Sequence, residues 1–247
     1  MISFQSILYK IYYNFLFYYK NLFIKKKKAL RTKTISVLCR GESLKFFSNI
    51  KNNNVDLIIL ANFENDDILK SKILNNIKDI PITIVSNISE PILNLSNLRL
   101  INLDEVFISR INNENQNLFI RRFNFRLNSI TRNVQLVNSK FITIYNNINI
   151  NSNGDWNTGL YSLFIACTKE PNLINLYGMD FFETDYFYGS INYQLSDIEK
   201  KERSAKMMSS FKKTFFEILN TFTNIQFNIY TKSKINSKLK NVKVFFV

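Results

Sequence analysis

The sequence predicts an α/β fold: a doubly wound, mostly parallel sheet, preceded by an N-terminal helical extension. Three observations carry this. Short apolar runs rich in Ile, Val, Leu and Phe recur along the chain, without the strict alternation of a half-exposed strand. Longer segments of helical character lie between several of them. At 247 residues, 46% of them hydrophobic and 15% aromatic, the chain is long enough and apolar enough for one substantial core.

Strands are expected at residues 34–39 (TISVLC), 55–61 (VDLIILA), 82–86 (ITIVS), 141–145 (FITIY), 173–177 (LINLY), 225–230 (IQFNIY) and 242–246 (VKVFF). Residues 66–77 place Ile68, Leu69, Ile73, Leu74 and Ile77 on one helical face. Residues 157–170 read as a strongly apolar helix after the turn NSNGDWN, and 196–219 as a long amphipathic helix opening on a Ser-Asp cap. Residues 88–132 are Asn-rich and read as the least regular part.

The ends divide the chain in two. Residues 1–33 form a separate segment: an aromatic, apolar stretch at 3–24, followed by KKKK at 25–28. A secretory signal has its charge before the apolar stretch, not after it. Lys10, Asn14, Lys20 and Asn21 interrupt the stretch, so a transmembrane span is not expected. Apolar and aromatic residues beside a lysine run suit a helix at the surface of an anionic membrane. Residues 34–247 form the folded domain. The expected location is cytoplasmic, peripheral at the inner face of the membrane.

Composition excludes several chemistries. The chain has no histidine, so imidazole bases, Ser-His-Asp triads and His-zinc sites are out. It has two cysteines, Cys39 and Cys167, both in apolar runs, which fits buried free thiols. No D-x-D pair ends a strand, so no metal site and no cofactor are expected. The net charge of +14 accompanies an excess of Asn, Ile, Lys, Phe and Tyr, so compositional bias accounts for part of it. Arg121, Arg122, Arg126 and Arg132 cluster, yet no nucleic-acid recognition motif accompanies them. A basic face toward membrane or glycolipid phosphates is the simpler expectation.

In a doubly wound sheet, ligands bind beyond the carboxyl ends of the strands. Arg40, Gly41, Glu42 and Ser43 follow the first strand and open a helix, whose N-terminus and glycine suit an anion. Asn62 and Asn87 follow the second and third strands. Asn157, Thr158 and Gly159 open the apolar helix, as a cap or as an anion contact. Leu176 to Gly189 (LYGMDFFETDYFYG) is the most informative stretch. Gly178 permits close approach, Asp180 follows the strand, and Glu183, Asp185, Tyr186 and Tyr188 supply acid–base groups and phenol donors.

Together, VLCRGESLK, DWNTGLYSLFIA and LYGMDFFETDYFYG resemble motifs of the bacterial sialyltransferases of glycosyltransferase family 42. Their counterparts there are G-x-G-P-S-L-K, R-I-T-S-G-V-Y and L-S-G-I-D-F-Y, and order and spacing agree over residues 34–230. The resemblance implies a Rossmann-like nucleotide-binding domain. It also implies metal-independent, inverting transfer from a CMP-activated acid sugar to a surface glycan or glycolipid, with CMP-sugar as substrate and no cofactor, by a homo-oligomer. It assigns Gly41, Ser43, Asn62, Asn87, Thr158 and Gly159 to the donor, with Gly178, Met179 and Asp180 lining the cytidine and ribose pocket; Arg40, Asn157 and Phe182 are expected beside the donor as well. Phe182 stands where the family has its first tyrosine, leaving Tyr186 or Tyr188 to stabilise the departing phosphate. The family's histidine base has no counterpart, its arginine is Asp155, and its loop proline and asparagine are Glu42 and Arg40. These departures leave the sugar open among sialic acid, Kdo and related nonulosonic acids. A carboxylate, Asp185 before Asp180, is the expected base. The alternatives are a donor-binding protein without turnover and a basic nucleic-acid-binding protein.

Overall fold

The computed structural model describes residues 33–49, 54–62, 79–87, 102–109, 133–137, 150, 156–181, 183–184 and 197–247. Eight strands form one sheet: β1 (Thr34–Leu38), β2 (Leu57–Ala61), β3 (Ile82–Asn87), β4 (Leu103–Ser109), β5 (Asn133–Val137), β6 (Leu173–Tyr177), β7 (Gln226–Thr231) and β8 (Val242–Phe246). Their order is β5-β4-β3-β2-β1-β6-β7-β8. Every neighbouring pair is parallel. The doubly wound α/β reading is therefore correct, and the sheet is wholly parallel among the described residues.

The chain builds outward from β1 to β5 and then returns to place β6 on the other side of β1. The strand order reverses at the β1/β6 boundary, and the carboxyl ends there are where doubly wound sheets bind ligands. β1 is buried on both faces from Ile35 to Leu38, which is why its sequence does not alternate, and β6 is buried at Ile174, Leu176 and Tyr177. Ile35 and Val37 of β1 and Ile174 and Leu176 of β6 join one core cluster, whereas Ser36 and Leu38 are buried on the other face.

Helix α1 (Thr158–Thr168) is apolar on all sides, and Leu160 to Cys167 are buried throughout. It lies against β1, β2, β3 and β6. Trp156, just before it, stacks on Tyr161 at 5.1 Å and meets Phe164 edge-on at 5.7 Å. Helix α2 (Asp197–Thr221) turns Phe211, Phe215, Ile218 and Leu219 inward at helical spacing. A 3-10 helix (Glu42–Asn49) follows β1 and packs against β6 and β7. On its side of the sheet, an aromatic row crosses the strands. Phe47 meets Tyr177 edge-on at 5.3 Å, Tyr177 stacks on Tyr230 at 4.6 Å, and Tyr230 stacks on Phe245 at 4.8 Å. Register sets this row, since Tyr177 faces Tyr230 and Tyr230 faces Phe245.

Two expectations need correction. Residues 88–132 are not uniformly irregular, because β4 lies within them. Its apolar run is broken by Asp104 and Glu105 near the amino end, where Glu105 pairs with Lys169 and needs no apolar neighbour. β5 (NVQLV) has Gln135 at its centre and was not expected. The strand expected at 141–145 and the helix expected at 66–77 lie outside the described residues, as does segment 1–32.

Candidate functional site at the strand-order reversal

The loops after β1 and β6 continue to bond beyond the strands. Cys39 N donates to Tyr177 O at 2.8 Å, and Gly41 N donates to Gly178 O at 2.8 Å. This approach requires glycine on both sides. Gly178 has φ +71°, and a Cβ there would stand 2.2 Å from Cys39 O. A Cβ on Gly41 would stand 2.5 Å from Asp180 Oδ2 and 2.6 Å from Gly178 O.

Asp180 is the hub. It is 3% exposed. Its Oδ2 accepts from Ser43 N at 2.9 Å and from Thr184 Oγ1 at 3.1 Å. Its Oδ1 accepts from Ser43 Oγ at 2.7 Å, Thr231 Oγ1 at 3.0 Å and Lys232 N at 3.0 Å. Ser43 Oγ in turn accepts from Gly178 N at 2.9 Å, and Ser233 Oγ donates to Asp180 O. The carboxylate thus sits at the N-terminus of the 3-10 helix, where an anion is favoured, and joins the loops after β1, β6 and β7.

The third motif meets these loops from α1. Asn157 is the N-cap, and its Oδ1 accepts from Leu160 N at 2.9 Å. A Cβ on Gly159 would lie 3.0 Å from Met179 Cε and 3.3 Å from Cys39 Sγ, so the first turn of α1 touches residues that follow both β1 and β6. Thr158 is buried, and its carbonyl accepts from Ser162 Oγ at 2.8 Å.

The rim is basic. Arg40 is buried beside Gly41, and Lys45 lies 5.9 Å from the Phe46 ring. Lys232 forms an ion pair with Glu42, and that bond holds its ammonium above the ordinary lysine range. Lys212 pairs with Glu183 at 2.8 Å and sits 5.5 Å above the Phe181 ring. Burial, with the charge of Asp180 second, pushes the Cys39 thiol up to about 12. Cys39 and Cys167 are both buried and free.

The structure therefore brings together Arg40, Gly41, Ser43, Asn157, Thr158, Gly159, Gly178, Met179 and Asp180. Asn62 follows the neighbouring strand β2, with φ +53° and its N donating to Val85 O at 2.9 Å. Asn87 ends β3, one strand further out; its side chain is not described. Phe182, Asp185, Tyr186 and Tyr188 lie outside the described residues. Thr231, Lys232 and Ser233 are site residues that the sequence reading missed. Their segment reads as an ordinary strand end, and only the pairing of β7 with β6 puts it beside Asp180. Among the described residues, no group of three or more His, Cys, Asp or Glu side chains is placed to share a metal ion. No described helix is long and apolar enough to cross a membrane.

No family model matches the chain, and no curated protein matches its sequence. Two solved structures are similar to it. The sialyltransferase CstII from Campylobacter jejuni in complex with a substrate analogue, cytidine-5'-monophosphate, is 14% identical. The match covers 85% of this chain and 84% of that chain, with a TM-score of 0.45. A variant of the sialyltransferase Cst-II in complex with CMP is 16% identical, over 85% of this chain and 84% of that chain, also with a TM-score of 0.45. The likeness is one of overall fold and assigns no role to any residue here.

Proposed function

We propose that the protein is a glycosyltransferase that binds a CMP-activated acid sugar in the crevice beyond β1 and β6. The observation that carries this is the convergence of three segments that are far apart in sequence. Gly41 and Ser43 touch Gly178 and Asp180, and Gly159 lies against Met179 and Cys39. Asp180 takes the amide of Ser43, so the donor phosphate is assigned to the first turn of α1, at Thr158 and Gly159. Arg40 and Lys45, beside these loops, are the cations assigned to an anionic donor.

Transfer is proposed as one inverting, metal-independent displacement. The acceptor oxygen bonds to the anomeric carbon, the bond from that carbon to the phosphate oxygen breaks, and CMP leaves with the electron pair. The acceptor proton passes to Asp185. Tyr186 or Tyr188 donates to the departing phosphate. The acceptor is a surface glycan or glycolipid. Residues 3–28 hold the protein at the inner face of an anionic membrane, each lysine contributing about 1 kcal/mol there. Homo-oligomers are part of the same proposal; nucleic acid is not a partner.

The test is a thermal-shift screen of the full chain against CMP, UDP and GDP and their sugars. Stabilisation by CMP and its sugars supports the reading. Stabilisation by UDP or GDP but not by CMP overturns it. A second reading, donor binding without turnover, is favoured by the missing histidine. CMP-sugar hydrolysis or transfer separates the two.

A further inference from the structure

We infer that Asp180 is a positioning residue, a fixed anion that locks the loops after β1, β6 and β7 in the shape the donor meets. The inference rests on the donor-site reading. Asp180 has no capacity left for substrate. Oδ1 accepts from Ser43 Oγ, Thr231 Oγ1 and Lys232 N, and Oδ2 accepts from Ser43 N and Thr184 Oγ1. A carboxylate offers about four lone-pair directions. All are engaged by protein donors, so Asp180 neither takes an acceptor proton nor receives ribose hydroxyls. Its work is done through others: Ser43 Oγ holds Gly178 N, and Gly178 O holds Gly41 N.

The lock is specific for a carboxylate. Each oxygen receives a backbone N–H, Ser43 on one side and Lys232 on the other, and neither donor can turn away. An asparagine has one acceptor and one donor end, so either orientation sets an NH2 group against a backbone N–H. A glutamate carries its carboxylate one methylene further and takes both oxygens out of register with the Ser43 and Lys232 amides.

The experiment uses the full chain, with Asp180→Asn and the milder Thr231→Val, which keeps the carboxylate and both backbone donors. CMP and 2′,3′-dideoxy-CMP are titrated calorimetrically, and amide hydrogen exchange is read without ligand. Asp180→Asn is expected to weaken both nucleotides by the same factor, about tenfold. It is also expected to speed exchange at Ser43, Gly178 and Lys232 while Val37 and Leu176 stay protected. Thr231→Val shows the same pattern at about threefold. Loss of affinity for CMP but not for the dideoxy nucleotide means that Asp180 contacts ribose and overturns the inference. Faster exchange with unchanged affinity makes the role merely structural and overturns it too. If the wild-type chain binds neither nucleotide, the donor-site reading falls. Exchange then decides alone: unaltered rates at those three amides refute the lock, and faster rates retain it.

Discussion

Gly178 and Cys39 are packed backbone to backbone, so closely that a Cβ on Gly178 would stand 2.2 Å from the Cys39 carbonyl oxygen. The contact closes the sheet at the point where the strand order reverses. Alanine at 178 would meet both a left-handed backbone, φ +71°, and an immovable carbonyl. Gly178→Ala is expected to destabilise the fold by at least about 2 kcal/mol, read as a lowered urea midpoint. A loss below about 0.5 kcal/mol would mean that the two loops are not in contact.

Gly159 behaves differently, because its nearest neighbour is the flexible tip of Met179, 3.0 Å from the added Cβ. Alanine also favours the helix by up to about 1 kcal/mol. Gly159→Ala should leave stability within about 1 kcal/mol of wild type while displacing Met179 toward the crevice. CMP affinity is expected to fall about tenfold, near 1.4 kcal/mol. A calorimetric titration beside a melting curve separates the two effects. Unchanged affinity would remove the α1 terminus from the donor site.

Legibility followed local apolar composition and chain distance. β6 and β8 occupy the spans expected, because each is a short, mostly apolar run that begins after an asparagine. β4 escaped because Asp104 and Glu105 interrupt it, and β5 because Gln135 divides a short run. In the site, Gly41 and Gly178 were legible as residues beside which something passes closely. What passes is protein: Asp180 Oδ2 and Cys39 O. The sequence marks Asp180 as an acid after a strand. Its donors on Thr231 and Lys232 lie 51 and 52 positions away and become neighbours only through strand order.

Phe215 links α2 to the loop after β6. It is fully buried and meets Phe181 edge-on at 5.1 Å. Phe181 itself holds φ +49°, a conformation that costs a non-glycine residue about 1–3 kcal/mol unless packing fixes it. Phe215→Ala should destabilise by about 3–5 kcal/mol. It should also speed exchange around Phe181 more than in β2. Equal effects at both places would make Phe215 an ordinary core residue with no hold on the site.

The Cys39 thiol gives a pH signature. Its pKa rises from 9.0 to about 12 on folding, chiefly by burial. A raised folded value means that the folded chain keeps a proton that the unfolded chain loses. The thiol's contribution is therefore intact below pH 9 and lost progressively as pH climbs toward 12. Urea midpoints of wild type and Cys39→Ala, compared at pH 7.5 and about pH 10.5, should show the wild type losing more stability. Parallel curves would contradict the burial of this thiol.

A donor site beyond β1 and β6 is read out by hydrogen exchange of the full chain with and without saturating CMP. Slower exchange is expected in three separate stretches at once: Cys39 to Leu44, Asn157 to Leu160, and Gly178 to Phe181. Amides in β8, on the edge of the sheet, should be unaffected. No response to CMP, or protection confined to β8 or to the amino ends of the strands, would contradict a donor site at the β1/β6 crevice.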